Sequence, residues 1–369
     1  MKKNLNVLLK PSSSSCNMNC NYCFYQKISE ERKQKNYGFM SLENLEKIVK
    51  KTFEFSNGGD CTFGFQGGEP TLVGLDFYKF FLSYIKKYNL KDSKYSLFIQ
   101  TNGLKLDNEW CKFFKENNFL VGLSIDGTKE INDTRRFLGD GTGTYEKIME
   151  TKELLDFYNI EYNILTVVDN LVAENIVEIY EHYKNLNFSY LQFIPCLDPY
   201  KSNRSNDAQF LDNKHYFEFL KTLFDLWFHD YQNGKIVSIK YFEDILSNIL
   251  KLPSHSCDML GRCSIQNVIE ADGTVYPCDF FAYEEWALGN IAINSFEEII
   301  FNNKSKKFIQ ESLLTSNKCK FCRWHSICRN GCKRYKYREK ENVFCEAISK
   351  FLDYSIDSFV IIAKSLVNK

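Results

Sequence analysis

Three cysteines share one short loop near the start of the chain, Cys16-x3-Cys20-x2-Cys23, and eight more crowd its last third. No other feature restricts the fold as strongly. In an oxidising compartment such cysteines would read as disulfides, but the stretch MKKNLNVLLKPSSSS has too short an apolar run for a signal peptide. A cytoplasmic location is expected, where a chain of 369 residues keeps its thiols reduced and can still bury a sizeable core. The thiols then point to metal. No apolar run approaches the length that spans a bilayer, so no membrane partner is expected. Lys plus Arg balance Asp plus Glu at 47 each, so there is no basic field to hold nucleic acid.

The spacing of the triplet narrows the choice of metal. Tetrahedral zinc wants four ligands, and no histidine precedes His182 to supply a fourth locally. A [4Fe–4S] cube held by three thiolates instead leaves one iron open to a small chelating ligand. A zinc site completed from far away is the alternative.

Around this loop the chain alternates short apolar runs with amphipathic stretches. The expected strands are Asn6–Leu9, Thr62–Phe65, Ser96–Gln100, Val121–Ile125, Tyr162–Val168 and Tyr190–Ile194. Leu42, Leu45, Ile48, Val49 and Phe53 repeat at helical spacing, and Asp107 is a candidate N-cap for the helix bearing Trp110, Phe113 and Phe114. Six strand–helix units in series argue for a parallel α/β architecture, an open sheet or a partial barrel. Ligands in such folds sit at the C-terminal strand ends. The loops with chemistry follow predicted strands: the cysteine triplet, Gly67-Gly68-Glu69-Pro70, Thr101-Asn102-Gly103, Ser124 with Asp126, and Cys196. The polar stretch Lys201–Asn213 and the helical segments Phe217–Phe228 and Phe242–Leu250 read as a connecting region. Beyond it, Asn267–Glu270 and Thr274–Tyr276 flank Asp272-Gly273, a two-strand hairpin signal, and Ala347–Val367 reads as a closing amphipathic helix.

The eight later cysteines are Cys257, Cys263, Cys278, Cys319, Cys322, Cys328, Cys332 and Cys345. Eight thiolates suffice for two fully ligated [4Fe–4S] clusters, which suit electron transfer because no iron is left open. They would equally satisfy a pair of zinc knuckles. Spacing does not divide them between two clusters. Cys61 and Cys111 lie in apolar contexts and read as core thiols, and Cys196 reads as a structural thiol at a strand end.

The triplet with its aromatic flank (CNMNCNYCFY) and the Gly-Gly-Glu-Pro loop resemble the radical S-adenosylmethionine (SAM) superfamily. The later cysteines resemble its SPASM domain. The resemblance implies a partial (β/α)6 barrel over residues 1–200, a helical connection over 201–253, and a small cysteine-rich domain over 254–369 with a hairpin and C-terminal helix. It implies SAM on the open iron and reductive cleavage to a 5′-deoxyadenosyl radical, three [4Fe–4S] clusters in all. Tyr22, Tyr25, Gln66, Gly68, Glu69, Ser124, Asp126, Arg136 and Leu197 would line the SAM site. Many related chains have His where this one has Asn132. Cys257, Cys263, Cys278 and Cys332 would hold one auxiliary cluster, and Cys319, Cys322, Cys328 and Cys345 the other.

Within that group the chain is most similar to anaerobic sulfatase-maturating enzymes. The carrying features are Lys10-Pro11-Ser12-Ser13, Cys23-Phe24-Tyr25, Gln66-Gly67-Gly68-Glu69-Pro70, Leu191-Gln192-Phe193-Ile194, Cys196-Leu197-Asp198-Pro199 and Tyr276-Pro277-Cys278-Asp279-Phe280. The implied reaction oxidises a Cys or Ser side chain in a sulfatase segment of Cys/Ser-x-Pro-x-Arg type to formylglycine, with flavodoxin or ferredoxin as electron donor. Five histidines, none in a matching motif, leave a carboxylate as base, and Asp279 resembles that residue. One alternative is a maturase forming a thioether or carbon–carbon crosslink in a ribosomal peptide. Cys16 lies too near the start for the leader-binding domain many of those enzymes carry. The other alternative is a non-catalytic zinc or iron–sulfur scaffold.

Overall fold

The expected strands form, each within two residues at either end. The computed structural model describes residues 1–198, 200, 210–254, 256–336 and 341–367. Among them are strands β1 (Leu5–Leu9), β2 (Cys61–Phe65), β3 (Tyr95–Thr101), β4 (Phe119–Ser124), β5 (Tyr162–Val168), β6 (Tyr190–Pro195), β7 (Ser238–Ile239), β8 (Val268–Ile269), β9 (Thr274–Tyr276) and β10 (Gly289–Asn290). Pro199 and residues 201–209, which open the expected connecting region, lie outside the described residues.

Contacts divide the chain into two units interleaved along the sequence. The first comprises Met1–Ser124, Asp133–Tyr162 and Ile265–Phe308, the second Ile125–Asn132, Asn163–Ser264 and Ile309–Lys369. The cysteine-rich last third thus contributes to both.

In the first unit β1, β2, β3 and β4 run parallel, with Leu5 opposite Cys61, Phe63 opposite Leu97 and Ile99 opposite Val121. The hairpin adds to the other edge of β1: β8 pairs parallel with β1, β9 antiparallel with β8, and β10 antiparallel with β9. Strand β8 is shorter than the alternation suggests because Asn267 adopts φ +49°, which breaks extended backbone just before it. The turn has the expected chemistry, with Gly273 at φ +87° and Asp272 accepting from the Thr274 backbone and hydroxyl.

Fully buried Phe63, Phe65, Tyr78, Phe81 and Phe114 fill the core of this unit, joined by Trp110 and Phe119. The rings meet edge-on or tilted, as at Phe65–Tyr78 (4.9 Å) and Tyr78–Trp110 (5.2 Å). Burying such a side chain contributes about 1.5–3 kcal/mol. Helix Leu42–Ser56 buries Leu45, Ile48 and Val49 on one face; Ser41 caps its start and left-handed Asn57 ends it. Asp107 caps Asn108–Glu116 by accepting from Glu109 and Trp110. Cys61 and Cys111 are buried in this apolar interior.

In the second unit β5, β6 and β7 are parallel. Helices Asn213–Gln232, Lys240–Ile249 and Cys345–Val367 share an aromatic core, with Phe224–Phe359 at 4.7 Å and Trp227–Phe242 at 5.2 Å. Among the described residues no helix is long and apolar enough to cross a membrane.

Candidate active site

Because β1, β2 and β3 are parallel neighbours, the loops that follow them emerge at one edge. The cysteine loop and the Gly-Gly-Glu-Pro loop are tied there by their backbones. Gly68 N donates to Ser13 O (2.8 Å) and Glu69 N to Ser15 O (2.8 Å). A Cβ on Gly68 would stand 2.0 Å from Ser15 O, so this position excludes every other residue. The Glu69 carboxylate is buried and accepts from Thr71 N, Thr71 Oγ1 and Thr101 Oγ1 through Oε1, and from Asn102 N through Oε2. Burial raises its pKa while these donors oppose the shift. The carboxylate is committed to joining its own loop to the loop that follows β3.

The other two thiols of the loop act on Cys16. Cys16 borders the open side of the loop, yet desolvation of its thiol, then the charges of Glu69, Cys20 and Cys23, push its pKa up to about 12. Burial also raises Cys23, against the pull of Arg136 and Lys10. Metal binds only the thiolate, so ligation here must draw the proton from each thiol.

The expected SAM contacts divide between the units. In the first, Arg136 is buried and donates from Nη1 to Tyr22 Oη (2.8 Å), and Arg135 lies over the Tyr22 ring at 4.6 Å. Ser124 Oγ accepts from Gln100 Nε2 at 2.8 Å, and Gln66 is anchored by its backbone N–H to Leu9 O. In the second, the buried Asp126 accepts from Val167 N (2.9 Å), and Asn132 Oδ1 accepts from Asp126 N (3.3 Å). Leu197 is half-buried after β6, next to buried Cys196.

Lys10 was visible in the sequence only as part of a motif. Alternation along β1 turns it away from the face of Leu9, where a lysine normally meets solvent. Here it is fully buried, its Nζ 2.5 Å from Asp279 Oδ1 and 3.6 Å from the centre of the Tyr25 ring. Asp279 keeps 16% of its side chain exposed. Beside them Arg32 and Glu270 form an ion pair at 2.9 Å with neither side chain exposed, and Arg32 also donates to Ala282 O. Nothing local signals this pair, which joins residues 238 positions apart. Glu270→Ala is expected to cost about 3–5 kcal/mol in urea unfolding, because it strands a buried guanidinium. Glu270→Gln, which keeps an acceptor, should cost less.

The later thiols fall into two sets. In the second unit the buried Cys332 thiol is raised by desolvation first and then by the charges of Cys257 and Cys263. Cys328, pushed up to about 12 chiefly by burial, responds instead to Cys345, Cys319 and Cys322. Cys278 follows β9 in the first unit. Among the described residues no three His, Cys, Asp or Glu side chains close on a point as a single ion would require. The fit to polynuclear clusters rests on donor chemistry, all thiol, and on this grouping.

Known proteins agree with that chemistry. The Radical SAM superfamily matches residues 11–183, and an iron–sulfur cluster-binding domain, SPASM, matches 257–333. A cysteine-type anaerobic sulfatase-maturating enzyme of Clostridium novyi is 47% identical over 99% of this chain and 98% of its own. The chain belongs to the anaerobic sulfatase-maturating enzymes. It is therefore a radical SAM enzyme with a SPASM iron–sulfur domain. A solved structure of native anSMEcpe with bound AdoMet is 42% identical to this family member, with a TM-score of 0.94 over 98% of this chain and 99% of that one. Another, with AdoMet and the Cp18Cys peptide, is 41% identical with a TM-score of 0.94, covering 99% of this chain and 100% of that chain.

Proposed function

We propose that the protein oxidises a cysteine side chain of a sulfatase segment to formylglycine, with Asp279 as the base. One observation carries the reading. Phe280, the neighbour of Asp279, packs on Phe24, the neighbour of Cys23, with ring centres 4.8 Å apart, and Asp279 directly follows Cys278, a thiol of the later set. Substrate, base and electron exit can therefore meet there.

When bound, the cluster and SAM supply a 5′-deoxyadenosyl radical that takes a hydrogen atom from the substrate Cβ. The chain's residues do the rest. Cys16, Cys20 and Cys23 would hold the first cluster, and the backbone at Gly68 and Glu69 would receive the amino end of SAM. Arg136 would receive its carboxylate, while Tyr22, Tyr25, Gln66, Ser124, Asp126 and Leu197 would line the rest of the SAM site. Lys10 fixes the Asp279 carboxylate from the buried side, leaving its exposed edge to take the proton of the substrate thiol. Cys257, Cys263, Cys278 and Cys332 would hold a second [4Fe–4S] cluster and Cys319, Cys322, Cys328 and Cys345 a third, and such fully ligated clusters would supply an acceptor for the remaining electron. Segments 1–200, 201–253 and 254–369 serve as catalytic, connecting and electron-transfer modules. Flavodoxin or ferredoxin provides the reducing electron.

The cysteine preference rests on the cysteine-type relative, 47% identical. The test is direct. Reconstituted anaerobically, the protein should carry about twelve irons per chain. With SAM and reductant it should convert a Cys-x-Pro-x-Arg peptide to the mass of the aldehyde: loss of a Cβ hydrogen atom, the thiol proton and one electron leaves a thioaldehyde, which water hydrolyses with release of hydrogen sulfide. A peptide whose mass changes only by crosslinking would overturn the assignment.

A further inference from the structure

Asn102 stands where two functional loops meet, and the role assigned to neither loop accounts for it. It follows β3 and is buried to 6% exposure. Its backbone N–H donates to Glu69 Oε2 at 2.8 Å, binding it to the Gly-Gly-Glu-Pro loop. Its side-chain orientation is fixed from both ends. Oδ1 accepts from Leu104 N at 3.0 Å, so the amide nitrogen must point the other way. There Nδ2 donates one hydrogen to Asn17 Oδ1 at 2.8 Å and lies 3.8 Å from Cys16 Sγ. A carboxamide nitrogen carries two hydrogens, so the second is free for the sulfur. Met18 N, 3.4 Å from the same sulfur, is the other donor.

We propose that Asn102 sets the reduction potential of the SAM-cleaving cluster by donating a hydrogen bond to the Cys16 thiolate; this rests on the reading that Cys16 is a cluster ligand. Adding an electron makes the cluster and its thiolates more negative, and an N–H aimed at a ligand sulfur stabilises that state. The potential is therefore raised toward the range of a cellular reductant. Because the same residue holds Glu69 through its backbone, the donor keeps its aim as long as the SAM-binding loop is in place. Asn17 completes the device by occupying the first amide hydrogen, which turns the second onto sulfur.

The test uses the fully reconstituted enzyme. The SAM-cleaving cluster is followed by electron paramagnetic resonance as the component whose signal changes on adding SAM, during a redox titration. Asn102→Ala removes the donor. Asn102→Asp keeps the Oδ1 acceptor for Leu104 but replaces the donor with an acceptor. Both should keep wild-type iron content and SAM-responsive signals. Both should shift the midpoint to lower potential, Asn102→Asp further. At a fixed poise near the wild-type midpoint the reduced-to-oxidised ratio should fall about tenfold, which is about 59 mV for one electron. A wild-type midpoint in Asn102→Asp overturns the proposal, as does loss of iron in both variants, which would make Asn102 structural. A wild-type protein lacking any SAM-responsive signal would instead defeat the radical SAM assignment of the loop itself.

Discussion

Replacing Cys16, Cys20 and Cys23 together by alanine is expected to abolish 5′-deoxyadenosine formation and to remove about four irons per chain, leaving about eight. The separation follows from the structure. Cys20 and Cys23 help raise the Cys16 thiol, and Cys23 lies with Lys10 and Arg136, whereas Cys328 responds to Cys345, Cys319 and Cys322 and Cys332 to Cys257 and Cys263. The ligand sets are distinct, so losing one should spare the others. The fold should survive as well, since the loop contributes little to the Phe63–Phe81–Trp110 core that holds this unit together. Circular dichroism and thermal unfolding of the triple variant should match the wild type prepared without iron. Iron quantitation, visible absorbance and chromatography of SAM digests read the outcome. Residual 5′-deoxyadenosine from the triple variant would place SAM cleavage on another cluster. Loss of nearly all iron would show that the auxiliary sites depend on the first loop.

The strands were legible because alternation is strong in β1, where Leu5, Val7 and Leu9 are buried, and because turn residues punctuate the runs. Strands β7 and β10 were not, since two residues are too few to display a period. The pairing of β8 with β1 was equally hidden: it joins Leu8 to Val268 and depends on which sheet edge the chain leaves open. In the site, the cysteines were readable because thiol spacing is itself the chemistry. Lys10 was not, because alternation marks it as a surface residue while its burial depends on Asp279 and Tyr25 arriving from elsewhere. Glu69 shows the reverse case. Its motif marks it as a ligand residue, but four donors from two loops occupy its carboxylate. Local sequence thus names the groups, and the partners that decide their roles come from distant segments.

The Asp279→Asn variant should separate SAM cleavage from product formation. Asparagine has nearly the same shape but cannot accept a proton as a carboxylate does, and positioned bases contribute about 10²–10⁴-fold. Iron content and 5′-deoxyadenosine production should remain, because breaking SAM needs no base, while formylglycine yield falls by about 10²-fold or more. A serine peptide should suffer more than a cysteine peptide, since a free thiol titrates near pH ~8.5 and a hydroxyl holds its proton far more tightly. Lys10 supplies the companion experiment. Its ammonium is fully buried against Asp279 at 2.5 Å, so Lys10→Met removes the charge and retains most of the length and apolar stem. With its partner gone, the carboxylate loses the contact that aims it, and product yield should fall while 5′-deoxyadenosine persists. Under limiting SAM, both variants should therefore show a higher ratio of 5′-deoxyadenosine to formylglycine than the wild type. A wild-type ratio in Asp279→Asn rejects the residue as base. Iron loss confined to that variant would mean that Asp279 supports the neighbouring Cys278 instead, and the base would then have to be sought among other groups near Cys23.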